Sequence, residues 1–159
     1  MATTTLPEFL DALIGKLQAR TALAGVNVYS CPVAPESLGK EGIELAEEVE
    51  IEDAPAALNS TDVEEKYTVN GSVMVTKPMV GKTSAVATIN VAAKAARDRA
   101  EVILEEVMDE LATNDTMTST VRDAQLVSQT WHQGMAPEGQ IGRVCWVEFS
   151  IAVEAHVTP

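Results

Sequence analysis

Apolar positions recur at steps of three and four through Val86–Leu111. Ala93, Ala96, Ala100, Ile103, Val107 and Leu111 form a stripe that Val86, Ile89 and Leu104 widen. The opposite side carries Lys94, Arg97, Asp98, Arg99, Glu101, Glu105, Glu106, Asp109 and Glu110. One apolar and one charged face at the helical period predict an amphipathic helix lying on a sheet. Asn114 is its expected stop, and Arg97 and Glu101 are placed to pair across one turn. A second stripe, Phe9, Leu10, Leu13, Ile14 and Leu17, predicts a first helix from Leu6 to Arg20. The capping-box spacing of Thr5-Leu6-Pro7-Glu8 opens it, and Gly25 supplies a stop.

Elsewhere the period is two. VNVYSC reads as a short strand closed by Pro32 and Pro35. In GIELAEEVEIED, Ile43, Leu45, Val49 and Ile51 share one parity, and Glu44, Glu48, Glu50 and Glu52 share the other. A strand sends alternate residues to opposite faces, so one face is buried and the other is a ladder of carboxylates. Asn70-Gly71 is a strong hairpin signal. Parity nevertheless favours one continuous strand through EEKYTVNGSVMVTKP, with Tyr67, Val69, Gly71, Val73 and Val75 on one face and a bulge expected near Gly71. TSTVRDAQLVSQTW and RVCWVEFSIAVEAHV predict a closing antiparallel hairpin. In the last strand Cys145, Val147, Phe149, Ile151, Val153 and Ala155 face the core and Trp146, Glu148, Ser150 and Glu154 face away. Asp53–Asp62 and His132–Gly142 read as long connections. The fold class is α/β in the broad sense (α+β): one mixed, largely antiparallel sheet of about five strands with two helices on one face, in the order α-β-β-β-α-β-β. A chain of 159 residues fits a single domain, with residues 1–4 expected as a tail.

Charge narrows the function. The formal net charge is −13, which argues against sequence-independent nucleic-acid binding, since that depends on Lys and Arg neutralising phosphates. Ten acids and no Lys or Arg lie between Glu41 and Glu65, so the acidity is concentrated where the carboxylate ladder is. The N-terminus lacks the basic start and apolar run of a secretory signal, and no apolar stretch is long enough to span a membrane. Cys31 and Cys145 make no disulfide framework and are expected to be buried thiols.

Catalytic chemistry is hard to find. Gly81-Lys82-Thr83 resembles the end of a phosphate-binding loop, but Thr76 stands where that loop needs glycine. His132 and His156 lie in no ligand-spaced motif. No enzyme activity, cofactor or metal is expected. Two features look like interfaces instead. Trp146 lies on the parity opposite the core, against a loop of its own chain or against another subunit. Trp131, at the end of its strand, and Met135, in the second long connection, sit at the tip of the closing hairpin, where they are expected to dock on a neighbouring subunit.

The layout as a whole is familiar. A first helix ends in ALAG-V, and a short strand and an acidic strand follow. Then come EEKYTV, the helix AAKAARDRAEVILEEVMDELATND and the closing GRVCWVEFSIAVEA. Nearly the whole chain resembles the tail terminator, or tail completion, proteins of long-tailed phages. These also occur as minor tail or head–tail joining proteins. The resemblance implies a structural virion protein of the tail or neck, assembled in the bacterial cytoplasm. Copies would form a ring, by implication hexameric, that caps the tail tube. Partners would be a second copy of the chain, the tail tube protein and a head-completion or connector protein, with no membrane. DNA would pass through the channel without specific binding. On that reading Glu44, Glu48, Glu50 and Glu52 line the channel, Trp131 and Met135 dock on a neighbouring subunit or on the tube, and Trp146 meets a neighbour. Lys94, Arg97 and Arg99 become candidates for an acidic patch on the next subunit. The alternatives are another neck or tail component (a head-completion stopper or a tube subunit) and, from a different class, a small-molecule or peptide binding module.

Overall fold

A computed structural model describes residues 4–34, 37–55, 63–117, 119–136 and 141–157. Strict alternation builds the sheet's centre. Strand β3 (Val63–Pro78) runs unbroken through Asn70-Gly71, and strand β5 (Gly142–Val157) pairs with it in continuous antiparallel register from Val63↔Val157 to Pro78↔Gly142. Parity therefore outweighs the hairpin signal. All six predicted inward residues of β5, Cys145 to Ala155, are buried. Strand β2 (Glu41–Pro55) flanks β3 on one side, and β4 (Asp123–Met135) flanks β5 on the other. The three-residue β1 (Asn27–Tyr29) adds parallel to the start of β2, giving the mixed order β1-β2-β3-β5-β4. The α+β class read from the sequence holds.

Helix α1 (Leu6–Ala19) buries Phe9, Leu13 and Leu17, and helix α2 (Val86–Thr113) buries Ala92, Ala96, Ala100, Ile103, Leu104, Val107 and Leu111. Both faces meet the inward residues of β2, β3 and β5 in one core cluster. Small residues in the first half of α2 allow close approach to the sheet. Its stripe is rotated slightly from the expected one: Ala92 is buried, Ala93 is half-buried, and Val86 stands exposed beyond the sheet's end. Asn114 is the C-cap residue, as its position predicts, its N–H donating to Glu110 O at 2.9 Å.

Several local expectations fail for tertiary reasons. The capping box does not form, because Thr5 makes no side-chain cap. Instead the buried Glu65 carboxylate of β3 accepts from Thr5 N (2.9 Å) and Thr5 Oγ1 (2.7 Å), setting a negative charge at the positive end of α1. Tyr67, edge-on to Phe9 with its hydroxyl 3.2 Å from Thr5 Oγ1, is pushed up to about 12, chiefly by burial. Leu6 N donates to Thr4 Oγ1 at 3.1 Å, so Thr4 belongs to the helix start rather than to a tail, while residues 1–3 lie outside the described residues. Glu110 is not on the solvated face of α2. It is buried, accepting from Arg20 Nη1 at 2.8 Å and from Asn114 Nδ2 at 2.6 Å. Cys31 is exposed, and only Cys145 is the buried thiol expected; burial pushes Cys145 up, against a small opposing effect of Arg97.

The two long connections are shorter than expected. β2 continues to Pro55, and residues 56–62 lie outside the described residues. β4 begins at Asp123 rather than in TSTV and continues through His132 to Met135, so the strand itself holds the first part of the expected His132–Gly142 loop; residues 137–140 lie outside the described residues. The bulge expected near Gly71 sits in the partner strand. β2 places three residues between Leu45 and Val49 where β3 places only Asn70 between Gly71 and Val69. β4 carries a second irregularity between Leu126 and Ser128.

Candidate functional site

Because the helices cover one face, most of the sheet's other face is open. Antiparallel partners share a face, so the register assembles that surface. Glu50 and Glu52 of β2 stand beside Thr68 and Lys66 of β3, which stand beside Ala152 and Glu154 of β5. Further along, Asn70, Ser150 and Ser128 lie in a row, followed by Ser72, Glu148 and Thr130. Glu48, in the β2 bulge, joins Asn70, Ser128, Thr130, Glu148 and Ser150 around an open polar concavity of about 340 Å³. Ser150 Oγ donates to Asn70 Oδ1 at 2.6 Å across its floor.

The four predicted wall carboxylates separate into two kinds. Glu48, Glu50 and Glu52 are exposed on this face. Glu44 is a structural clamp: it is half-buried, accepting from Val33 N at 2.9 Å and Ser72 Oγ at 3.3 Å, and so holds the segment after β1. The open face gains Glu148 and Glu154, whose parity in β5 was legible but whose neighbours depend on strand order. Glu154 pairs with Lys66 at 2.7 Å; that hydrogen bond pulls its carboxyl down and holds the Lys66 ammonium up.

At the end where β3 finishes and β5 begins, the face turns apolar. Leu38, Met74 and Val144 form a second small core with Tyr29, Val33 and Trp146. Trp146 thus packs against Leu38, Met74 and Val144 of its own chain and also stacks on His132, with ring centroids 5.0 Å apart and planes 13° from parallel. His132 Nε2 is 3.3 Å from Glu148 Oε2 without hydrogen-bond alignment. Met135 is exposed beside this cluster and, with Val33, Leu38, Glu44, Ser72 and Val144, borders an open depression of about 390 Å³. Trp131 is elsewhere. It pairs with Val147 and so faces the helix side, flanking α2 near Glu101, Glu105 and Met108. It is four residues inside the strand rather than at a hairpin tip, because β4 continues to Met135, and its face follows from the irregularity near Val127, which switches the parity of β4.

The three basic candidates on α2 also divide. Lys94 pairs with Asp98 one turn on, and Arg97 Nη1 donates to Gln133 Oε1 of β4 at 2.9 Å rather than to Glu101. Arg99 is committed within the fold. Its Nε donates to Glu41 Oε2 at 2.8 Å and its Nη2 to Ala22 O at 3.2 Å, while Lys77 Nζ holds the other Glu41 oxygen at 2.7 Å. Burial alone would raise the Glu41 carboxyl, but the hydrogen bonds from Lys77 and Arg99 outweigh it and the net shift is downward. A carboxyl depressed in the folded state stabilises above its unfolded pKa and loses that contribution as pH falls through the folded value. Glu41→Gln should therefore lower the denaturant midpoint at pH 7, and the gap to wild type should shrink below the ordinary value of 4.5. A gap that stayed constant from pH 7 to pH 3 would contradict this.

Among the described residues no group of three or more His, Cys, Asp or Glu is placed to hold a metal, and no helix is long and apolar enough to cross a membrane. The arrangement can repel polyanions and offer hydrogen bonds. Compared with known proteins, the chain matches no family model and no curated sequence.

Proposed function

We propose that this chain is a structural component of a phage tail: a tail terminator whose copies form a ring on the end of the tail tube, where a head-completion protein joins it, and through which DNA passes. The observation that carries this reading is the helix-free sheet face, a broad open surface bearing Glu48, Glu50, Glu52, Glu148 and Glu154 against Lys66. Turned toward a channel, such a wall repels the phosphate backbone instead of gripping it, because few cations are there to displace condensed counterions. The repulsion acts over about 8 Å at physiological salt, so the carboxylates need only line the channel and make no contact. The sequence resemblance to tail terminators supports the same reading, with Trp146 and Met135 at one end of that face as neighbours to the next component.

Mass in solution tests it, measured for the chain alone and with tail tubes present. The expected result is a closed assembly of roughly six copies, alone or on the tube end. A monomer under both conditions would remove the ring and with it the proposal.

A binding module is the second reading, favoured by the apolar depression around Leu38, Met74, Val144 and Trp146. Small-molecule sites bury most of their ligand in a cleft. This depression is open and Trp146 forms part of its lining, so it serves better as a docking ledge than as a pocket.

A further inference from the structure

We propose that two patches, one at the end of the molecule around the start of α2 and the turn before it, the other beside the exposed second half of α2, form a head-to-tail contact between copies of this chain, the first patch of one copy docking on the second patch of the next. The inference rests on the ring reading above and assigns that ring's interface. Its first support is a segregation of charge. Residues 77–99 carry five cations and one acid, whereas residues 101–115 carry six acids and no cation. The helix macrodipole favours the reverse, anions near the N-terminus and cations near the C-terminus. Asp109 and Glu110 lie near the last turn, and α2 has neither an acid in its first turn nor a base in its last. Stability of the isolated helix therefore does not account for the pattern. Lys77, Arg97, Arg99, Glu106 and Glu110 are engaged within the fold and Lys94 pairs with Asp98 on its own helix, but the side chains of Lys82, Lys94, Glu101 and Glu105 are exposed.

Exposed apolar side chains accompany both halves. Val80, Val86 and Val91 are more than two-thirds exposed around the start of α2. The register brings the exposed Ile141 to the same end of the molecule, since Pro78 pairs with Gly142. Around the second half, Val102, Met108 and Trp131 are each about two-fifths exposed, beside Glu101 and Glu105. Each patch thus combines an apolar centre with charges mainly of one sign, Asp98 beside Lys94 being the exception in the first, the composition of an interface rather than of a plain solvated face. α2 has 28 residues and is about 42 Å long, so the patches are well separated. Two different, complementary patches on one chain make a heterologous contact, which closes into a ring when its rotation permits. It also leaves the acidic sheet face uncovered.

Charge reversal tests this. Lys82→Glu with Lys94→Glu reverses one patch, and Glu101→Lys with Glu105→Lys reverses the other; unchanged circular dichroism and unfolding midpoints establish that each variant folds. Under the conditions that assemble the wild type, each pair should weaken assembly at least tenfold, and the fourfold variant carrying both reversals should reassemble. Wild-type assembly by either single-patch variant would overturn the contact while leaving the ring reading intact. So would a fourfold variant that stays monomeric, or a wild type that stops at two copies, the mark of a two-fold self-contact. A wild type that never assembles would remove both.

Discussion

Arg20→Ala should destabilise the fold by about 2–3 kcal/mol, seen as a lowered denaturant midpoint at unchanged slope. Arg20 is the C-cap residue of α1, and its guanidinium reaches α2. Nε bonds Glu106, Nη1 bonds Glu110 Oε2 at 2.8 Å, and Nη2 is 4.0 Å from Asp109. Removing one partner of a buried ion pair costs more than the pair contributes, because the other charge stays behind in a poorly solvated place. Glu110 is that charge, at 5% exposure. The figure is discounted from the fully buried case because the Arg20 side chain is itself 24% exposed. The hydrogen bonds that Arg20 donates to Glu106 and Glu110 raise its guanidinium above the ordinary arginine range, so its positive charge persists at any working pH. Arg20→Lys separates charge from geometry: one ammonium cannot reproduce the fork, so it should recover only part of the loss. Pairing Arg20→Ala with Glu110→Leu should also recover much of it, since the orphaned carboxylate is then gone. An Arg20→Ala midpoint equal to wild type would show that the link between the helices contributes nothing.

That ion pair marks the limit of what local pattern reveals. A charged residue on a helix is assigned to solvent by its neighbours in sequence, yet the partner that buries Glu110 is 90 positions away. Glu65 is the same case: it lies on the inward parity of β3 and is fed by the first residues of a helix 60 positions earlier. The open face was partly legible. Glu50 and Glu52 follow from alternation in β2, and Glu148 and Glu154 from alternation in β5. What brings them onto one surface is the order β2-β3-β5, which no local period contains. Trp131 was expected at a hairpin tip, but β4 runs four residues past it to Met135. Its face could not be read from alternation either, because a bulge inserts residues without changing composition, and the irregularity at Val127 turns every later side chain of β4 to the other face. In β3 and β5 no bulge intervenes, and there the reading of faces succeeded.

Gly71→Val should be among the most damaging single changes in the sheet, at about 3 kcal/mol or more, with Gly71→Ala costing somewhat less. A Cβ at this position would stand 2.6 Å from Glu44 O and 2.8 Å from Phe149 Cζ. The first obstacle is backbone and cannot rotate away. The second is a ring only 2% exposed, held in the core with Ile151 and Val147. The glycine is needed for this close approach, beside the place where β2 takes its extra residues between Leu45 and Val49. Gly15, in the middle of α1, is the internal control: a Cβ there meets nothing within 4 Å, so Gly15→Ala should stabilise by about 0.5–1 kcal/mol through helix propensity. The two alanine substitutions therefore carry opposite signs, and equal midpoints would refute the crowding. The consequence reaches the open face as well. A side chain at Gly71 must push Glu44 and the bulge outward, and Glu48 in that bulge forms the rim of the polar concavity. If the acidic face lines a channel, Gly71→Ala should therefore impair assembly by more than its loss of stability alone accounts for.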